Sequence, residues 1–324
     1  MQAVQLVRQG TFEVIEVGVP APEPGQVLVQ MESASVCGSD LRTVFGGHVV
    51  AFPLTPGRPG HEGVGTIVES RSASWAVGDR VLTVPMPGVG ACFADLQVVD
   101  ERFLVALSTA ASPHQIVMAQ PLGTVINGFR RYWPTGLSAD GCTAAILGAG
   151  TAGLFALQLA KLEGFSRVIV CDLEPARLEA AEKLGADVVV QAPERSFVDA
   201  VLEYTDGAGA ELVIEAAGFD ACRAECISAT RYLGRTGFFG LPEHAGAVGF
   251  PLAEAFARGC TIVMAGNAQI EEGLTSFHEA IELIESGALD VGHLLEPRYA
   301  LDDIQLAMDM AHERRALKVS FELG

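Results

Sequence analysis

Lysine is scarce in this sequence, and paired cysteines and long apolar runs are missing from it. Only three of the 21 basic residues are lysines, against 40 acidic residues, so the net charge is −19. Such a surface repels phosphate backbones, which argues against nucleic acid as a partner. No run of 18 apolar residues occurs, so we expect no membrane-spanning helix. The opening residues MQAVQLVRQGTFEV lack the pattern of a secretory signal, and we expect a cytoplasmic protein.

The cysteines form no Cys-x-x-Cys pair. They are Cys37, Cys92, Cys142, Cys171, Cys222, Cys226 and Cys260. In a cytoplasmic protein this pattern predicts free thiols, most of them small buried hydrophobic residues. Cys222 and Cys226 lie one helical turn apart but have no second pair nearby, so we interpret them as ordinary helix residues. Cys37 differs because of its neighbours, described below.

Short apolar runs alternate with helical segments in the second half of the 324-residue chain. The runs cover residues 144–150, 167–172, 187–191, 211–218, 236–241 and 261–266. They are rich in branched residues and apolar on both faces, as strands of a covered parallel sheet are. Helices are predicted over 152–163 and 175–184, each followed by glycine. Six strands joined by helical crossovers predict an α/β, doubly wound dinucleotide-binding (Rossmann) domain.

The first 120 residues have a different periodicity. Alternating apolar and polar residues over 26–36 and 63–70 predict half-exposed antiparallel strands, separated by segments rich in proline and glycine. The tail begins with a helical pattern over 271–289 and ends with a strand-like segment, 317–323. We expect this tail to fold back onto the first domain. The predicted β-rich domain therefore comprises residues 1–121 and 268–324, and the Rossmann domain comprises residues 122–267.

A glycine-rich turn follows the first Rossmann strand. It reads Gly148-Ala149-Gly150-Thr151-Ala152-Gly153 and opens the next helix. Glycines in this context let a backbone approach a pyrophosphate at the positive end of a helix. Asp172 ends the second strand, and its carboxylate can accept hydrogen bonds from both hydroxyls of the adenosine ribose. It would repel a 2′-phosphate, so the pattern favours NAD over NADP.

A second constellation lies in the first half of the chain. Cys37-Gly38-Ser39-Asp40 is followed by Gly60-His61-Glu62-Gly63. Taken alone, Cys37 could be a core residue and His61 a hydrogen-bonded loop residue. Together these segments offer a thiolate, an imidazole and a carboxylate on glycine-flanked loops, a donor set suited to zinc.

These motifs, with Val77-Gly78-Asp79-Arg80-Val81, the Rossmann pattern and the closing Lys318-Val319, resemble the zinc-dependent medium-chain dehydrogenase/reductase family. The resemblance covers nearly the whole chain. It implies a GroES-like, β-rich catalytic domain combined with a six-stranded Rossmann domain, with the active site in the cleft between them.

The resemblance also implies roles for individual residues. Cys37 and His61 would bind zinc, Asp40 would orient His61, and Ser39 would relay the substrate proton. Glu62 would be a carboxylate near the metal. On the cofactor side, the implied contacts are Asp172 and Arg177 with the adenosine ribose, and Thr124 and Ala152 with the nicotinamide.

The sequence departs from the family pattern at three points. Gln120 aligns with the third zinc ligand, and its neutral amide leaves the site at +1 unless Glu62 also binds. We therefore expect Cys37, His61, Glu62 and Gln120 as ligands, the last directly or through water. Arg42 replaces a relay histidine and cannot shuttle a proton, so water or a group such as His48 would complete the relay. The four-cysteine lobe of a structural zinc is missing, so any zinc is the catalytic one.

The expected function is NAD-dependent oxidation of a secondary alcohol of the polyol, sugar or cyclitol type, or the reverse reaction, at a single zinc. Two alternatives stay open. One is a zinc-free reductase of the same fold acting on an activated double bond or carbonyl; the other is a non-catalytic NAD(H)-binding redox sensor. The expected partner is a small hydroxylated substrate. The strand at 261–266 can pair with its copy across a twofold axis, as edge strands of the family do, so we expect a homodimer or homotetramer.

Overall fold

The computed structural model describes residues 1–47, 51–242 and 249–324, so His48 lies outside the described residues. The strands, in chain order, are β1 Gln2–Arg8, β2 Thr11–Glu16, β3 Gln26–Ser35, β4 Glu62–Ser70, β5 Arg80–Thr83, β6 Leu96–Asp100, β7 Leu104–Ala106, β8 Thr143–Leu147, β9 Arg167–Asp172, β10 Val188–Gln191, β11 Ala210–Glu215, β12 Thr230–Phe238, β13 Thr261–Met264, β14 Arg298–Tyr299 and β15 Ser320–Glu322.

The α-helices are α1 Gly38–Phe45, α2 Pro113–Ile116, α3 Ala119–Tyr132, α4 Thr151–Glu163, α5 Pro175–Lys183, α6 Phe197–Tyr204, α7 Asp220–Ala229, α8 Leu252–Arg258, α9 Thr275–Glu285 and α10 Ile304–His312. Short 3₁₀ turns cover Glu101–Phe103, Ala268–Ile270, Glu272–Leu274, Gly292–Leu294 and Leu301–Asp303. No helix among the described residues has both the length and the apolar character needed to cross a membrane.

One compact unit comprises Met1–Gly123 and Gln269–Gly324. Its main sheet has the order β14-β15-β3-β4-β5-β7, with β6 also paired to β3. The tail enters this sheet through β15, where Ser320 pairs with Ser35 in the antiparallel ladder. The sheet of this unit is therefore completed by a segment that follows the second unit in the chain.

The second unit comprises Thr124–Ala268 and contains a six-stranded parallel sheet in the order β10-β9-β8-β11-β12-β13. Numbered within the unit, this is the order 3-2-1-4-5-6 of a doubly wound dinucleotide-binding fold. The helix α4 ends at Gly164, which has a positive φ of 94°, and α5 begins with Pro175. The predicted α/β class, with its β-rich and six-stranded doubly wound parts, is confirmed.

Two predicted elements have different limits in the structure. The helix predicted over 271–289 is only α9, because Gly273 and Leu274 both have positive φ and interrupt it. The strand predicted from residue 236 begins earlier, at Thr230, which pairs with Ala210. Between Thr230 and Arg235 the register shifts around Leu233, whose φ is 58°. An apolar periodicity does not reveal such a local change of backbone conformation.

The strand β13 lies at an edge of the parallel sheet and is only partly covered. Thr261 and Met264 are exposed, and the two residues between them are half-buried. Interior strands such as β8 are buried along their whole length. The sequence analysis predicted that both faces of every strand are covered. This prediction is wrong for β13, because a strand at the edge of a sheet has a neighbouring strand on one side only and is less enclosed.

Candidate functional site

The candidate metal ligands come together where β3 and β4 pair. Cys37 follows β3 and precedes α1, and Glu62 is the first residue of β4, opposite Ser35. One donor atom from each of Cys37, His61 and Glu62 lies within 4.8 Å of the other two. In the part of the chain that the structure describes, this is the one group of three or more Cys, His, Asp or Glu residues with such spacing. His61 and Glu62 are buried, and Cys37 is half-buried.

Asp40 holds both Cys37 and His61 in place. Its Oδ1 lies 2.9 Å from Nδ1 of His61, and its Oδ2 accepts a hydrogen bond of 2.9 Å from the backbone N–H of Cys37. Burial alone would lower the pKa of His61, but the neighbouring Asp40 carboxylate and Cys37 side chain outweigh it and raise that pKa well above its usual range. Nδ1 is thereby committed to Asp40, which leaves Nε2 as the nitrogen available to a metal.

One carboxylate oxygen of Glu62 accepts hydrogen bonds, and the other has no hydrogen-bond partner. Its Oε2 accepts hydrogen bonds from the Ser35 hydroxyl and, at 2.6 Å, from Nζ of Lys318. Burial tends to raise the pKa of Glu62, but the Lys318 ammonium outweighs this and lowers it. The ionised carboxylate therefore presents Oε1, which is buried without a hydrogen-bond partner. Buried polar atoms are nearly always satisfied, so this oxygen fits a bound cation.

Lys318 was not predicted as a site residue. It is 6% exposed, and its Nζ also donates a 2.9 Å hydrogen bond to the backbone oxygen of Val36. A buried lysine needs partners that replace its hydration, which Glu62 and Val36 provide. The sequence feature that could have indicated a buried lysine is its place between two apolar residues, Leu317 and Val319, in a sequence with only three lysines.

The other residues predicted near the metal occupy two helices. Ser39 lies in the first turn of α1, with its hydroxyl oxygen 3.4 Å from Nε2 of His61. Arg42 lies one turn later on the same side of that helix, and it is half-buried. Gln120 is the second residue of α3 and is only 2% exposed. Thr124 is the first residue of the second unit.

The predicted nucleotide-binding turn joins β8 to α4, and its geometry requires glycine. Gly148 has a φ of 107°, a conformation that other residues rarely adopt. A Cβ atom at Gly153 would collide with the carbonyl oxygen of Gly148. Gly150 is the N-cap of α4, and Thr151 and Ala152 are its first two residues, both half-buried. The amide groups at this helix start can receive an anion.

Asp172 ends β9 beside this turn. Its Oδ2 accepts a 2.6 Å hydrogen bond from the N–H of Ala149, and its Oδ1 accepts one of 3.0 Å from the N–H of Glu174. Arg177, on α5, places its Nη1 3.9 Å from Oδ2. The backbone thus fixes the Asp172 carboxylate next to the glycine-rich turn.

Comparison with known proteins identifies the family. The model of the alcohol dehydrogenase GroES-like domain matches residues 23–126, and that of the zinc-binding dehydrogenase matches residues 152–286. Sorbitol dehydrogenase of Bacillus subtilis is 29% identical over 339 residues, which cover 96% of this chain and 93% of the relative. Erythritol/L-threitol dehydrogenase of Mycolicibacterium smegmatis is 26% identical over 368 residues, covering 99% and 97%.

One solved structure is similar to this chain over its whole length. Alcohol dehydrogenase TADH from Thermus sp. ATN1 superimposes with a TM-score of 0.88 at 25% identity, with 100% of both chains covered. The chain belongs to the zinc-type medium-chain dehydrogenase family, and it is an oxidoreductase of the alcohol dehydrogenase class. The predicted family and enzyme class are confirmed.

Proposed function

We propose that this medium-chain dehydrogenase oxidises a secondary alcohol of the polyol, sugar or cyclitol type with NAD, or catalyses the reverse reaction, at one catalytic zinc. The observation that carries the proposal is the buried Oε1 of Glu62, which has no hydrogen-bond partner and lies in one group with Cys37 and His61. The names of the sorbitol and erythritol/L-threitol dehydrogenases support a hydroxyl-rich substrate.

The donor set fits zinc in number and in charge. Catalytic zinc sites use three protein ligands and keep the fourth position for water or substrate. Cys37 thiolate and Glu62 carboxylate balance the charge of the ion, and neutral His61 adds none. Gln120, buried at the start of α3, would then act directly or by holding a water. Lys318 and Asp40 contribute opposite charges behind the ligands, so the whole set stays neutral.

The nucleotide-binding turn supports NAD as the cofactor. Gly148 and Gly153 allow the tight turn and its close packing, and Gly150 leaves room for a pyrophosphate at the start of α4. Asp172 faces the place where the adenosine ribose binds in such folds. A fixed carboxylate there favours the ribose hydroxyls over a 2′-phosphate. We accordingly assign the catalytic role to residues 1–121 with 268–324, and cofactor binding to residues 122–267.

The residues of the chain have distinct tasks in the reaction. When bound, zinc supplies a Lewis acid that lowers the pKa of the substrate hydroxyl, and NAD takes up the hydride. Asp40 keeps the proton on Nδ1 of His61 and fixes the orientation of the imidazole. Ser39 Oγ, beside Nε2 of His61, accepts the hydroxyl proton and passes it outward. Arg42 stays protonated, so its task is to bind or to orient rather than to shuttle.

We further propose that two copies pair through β13. This strand is an edge with open backbone groups, and Met264 on it is 66% exposed. Phe256 and Leu252, on the preceding helix α8, are 87% and 70% exposed. Exposed apolar side chains on an edge strand and on the helix that precedes it are typical of a surface covered by a second copy.

The test is metal content, NADH binding and activity, each measured for the purified enzyme and for two cysteine variants. Cys37→Ala should lose both zinc and activity while NADH still binds. Cys92→Ala is the matched control, because this buried thiol donates to the backbone oxygen of Glu62 and is not a proposed ligand. It should keep zinc and activity. Substrates come from an NAD-linked screen of sugars, polyols, cyclitols and secondary alcohols.

Two results would contradict the proposal. Turnover that persists in metal-free enzyme would favour a zinc-free reductase. Tight NADH binding without zinc and without oxidation of any alcohol in the screen would favour a redox sensor.

A further inference from the structure

Glu215 is a fully buried carboxylate at the carboxyl end of β11, and the proposed chemistry does not use it. Its Oε1 accepts two hydrogen bonds, 2.7 Å from the N–H of Ala217 and 2.5 Å from the N–H of Gly218. These are successive peptide groups of the loop that follows β11. The side chain therefore fixes the path of that loop directly after the strand.

Arg223, on α7, connects this loop to the next one. Its Nη2 lies 3.5 Å from Oε2 of Glu215 and donates a 2.9 Å hydrogen bond to the carbonyl oxygen of Gly240, which follows β12. Its Nη1 donates to Asp220 at 2.6 Å. The N–H of Gly240 in turn donates to the backbone oxygen of Glu215. The loops after β11 and β12 are thus joined through one ion pair.

The glycine-rich turn packs against the same group. A Cβ atom at Gly148 would lie 2.8 Å from the nitrogen of Ala217, and one at Gly240 would lie 2.8 Å from Oε2 of Glu215. At these positions the segments approach each other too closely for a Cβ atom. The three segments follow the carboxyl ends of β8, β11 and β12, which are neighbours in the sheet.

The carboxyl edge of a doubly wound sheet is where dinucleotides bind. A buried ion pair generally stabilises a fold no more than apolar side chains of the same volume, so its presence here points to a demand for geometry. We propose that Glu215 and Arg223 are positioning residues for the dinucleotide: together they set the spacing of the three loops that receive it. This inference rests on the proposed use of NAD, and neither residue is assigned a contact with the cofactor.

The same strand offers a matched control at its other end. Glu211 accepts a 2.7 Å hydrogen bond from the N–H of Thr143 and pairs with Arg231. It is likewise a carboxylate that joins a backbone N–H to an arginine, but it lies at the amino end of β11, away from the carboxyl edge. Glu211→Gln therefore removes the same kind of charge from the same strand, at a more exposed position and without touching the loops in question.

The experiment compares Glu215→Gln, Arg223→Met, the double variant and Glu211→Gln in the full enzyme. NADH affinity, KM for NAD, kcat, zinc content and unfolding are measured for each. Both single variants should weaken NADH binding by about tenfold to a hundredfold, since each removes charge-assisted hydrogen bonds. Most of the loss should appear in KM for NAD, with zinc content unchanged. Glu211→Gln should stay within about twofold of the wild type.

The double variant separates positioning from stability. The double variant contains neither charge of the pair, so no buried ion is left without its partner. The double variant should therefore resist unfolding better than either single variant. Its NADH affinity should nevertheless stay low, because the side-chain link between the loops is lost. A double variant that binds NADH like the wild type would overturn the inference. Failure of the wild type itself to bind NADH would instead refute the proposed function.

Discussion

Replacing Lys318 by methionine removes the cation beneath Glu62 and keeps most of the apolar stem. The two charged groups lie 2.6 Å apart, with side chains only 5% and 1% exposed. Removing one partner of such a buried pair usually costs about 3–5 kcal/mol, because the remaining charge is left uncompensated. Without metal, Lys318→Met should therefore lower the free energy of unfolding at neutral pH by about 3 kcal/mol.

The pH dependence has a definite sign. Lys318 lowers the pKa of Glu62 below its usual value of 4.5, so the pair stabilises the fold above that pH. Its contribution is lost as the pH falls through the lowered pKa, when Glu62 becomes protonated. The difference between wild type and variant should therefore shrink in acid.

At neutral pH, zinc should reduce the difference in unfolding free energy between the wild type and Lys318→Met. If Oε1 of Glu62 binds the metal, the charge of the ion replaces that of the missing ammonium. A metal-bound variant is then destabilised less than a metal-free one, and linkage requires that the variant bind zinc more tightly. If zinc reduces the loss of unfolding free energy by about 1.4–2.8 kcal/mol, the variant binds zinc about tenfold to a hundredfold more tightly than the wild type.

Urea unfolding with chelator or with zinc measures both effects. In a Trp133→Phe background, the fluorescence of Trp75 reports on the unit that contains Lys318. Arg298→Met is the control, because its guanidinium pairs with Glu296 at 2.6 Å on the surface of the same unit, and its loss should change stability by less than about 1 kcal/mol. The reasoning is refuted if the metal-free Lys318→Met variant is as stable as the control, or if zinc leaves its deficit unchanged.

Three further predictions concern the metal and the cofactor. Zinc binding requires an unprotonated Nε2 on His61, whose pKa is raised, so zinc affinity measured by competition titration should increase with pH by about tenfold per unit for each proton displaced. Gln120→Glu should tighten zinc by about tenfold or more in the same titration, because a carboxylate replaces a neutral amide; unchanged affinity would place residue 120 away from the metal. Asp172→Ser should raise KM for NAD by about tenfold to a hundredfold and narrow its preference over NADP, measured by steady-state kinetics with both cofactors; an unchanged cofactor ratio would contradict the assigned role.

Some features were predictable because their causes are local. At Gly148 the glycine-rich turn needs a backbone conformation that glycine adopts easily, and at Gly153 it needs an approach to the carbonyl oxygen of Gly148 too close for a Cβ atom. Asp172 could be identified because it ends an apolar run next to that turn. The parallel sheet followed from apolar runs that alternate with helices over short distances.

The remaining features depend on contacts between distant segments. Lys318 and Glu62 are 256 residues apart, and no periodicity links them. The stacking of Phe45 on His312, which joins α1 to α10 with ring centroids 4.0 Å apart, is equally remote in sequence. Glu215 is an intermediate case: the sequence shows a charged residue within an apolar run, but its role was not predicted, and its pairing with Arg223 is visible only in the loop geometry.

Because β15 is synthesised long after β3, the two strands can pair only late in synthesis. At about 5–20 residues per second, a ribosome needs roughly 13–50 s to proceed from Glu62 to Lys318. During that interval the continuous segment Thr124–Ala268 can fold, while Glu62 still lacks its ammonium partner. The segment Thr124–Ala268 can therefore fold before the proposed metal centre is complete, and a zinc ion that arrives early meets Glu62 without the ammonium that holds its Oε2.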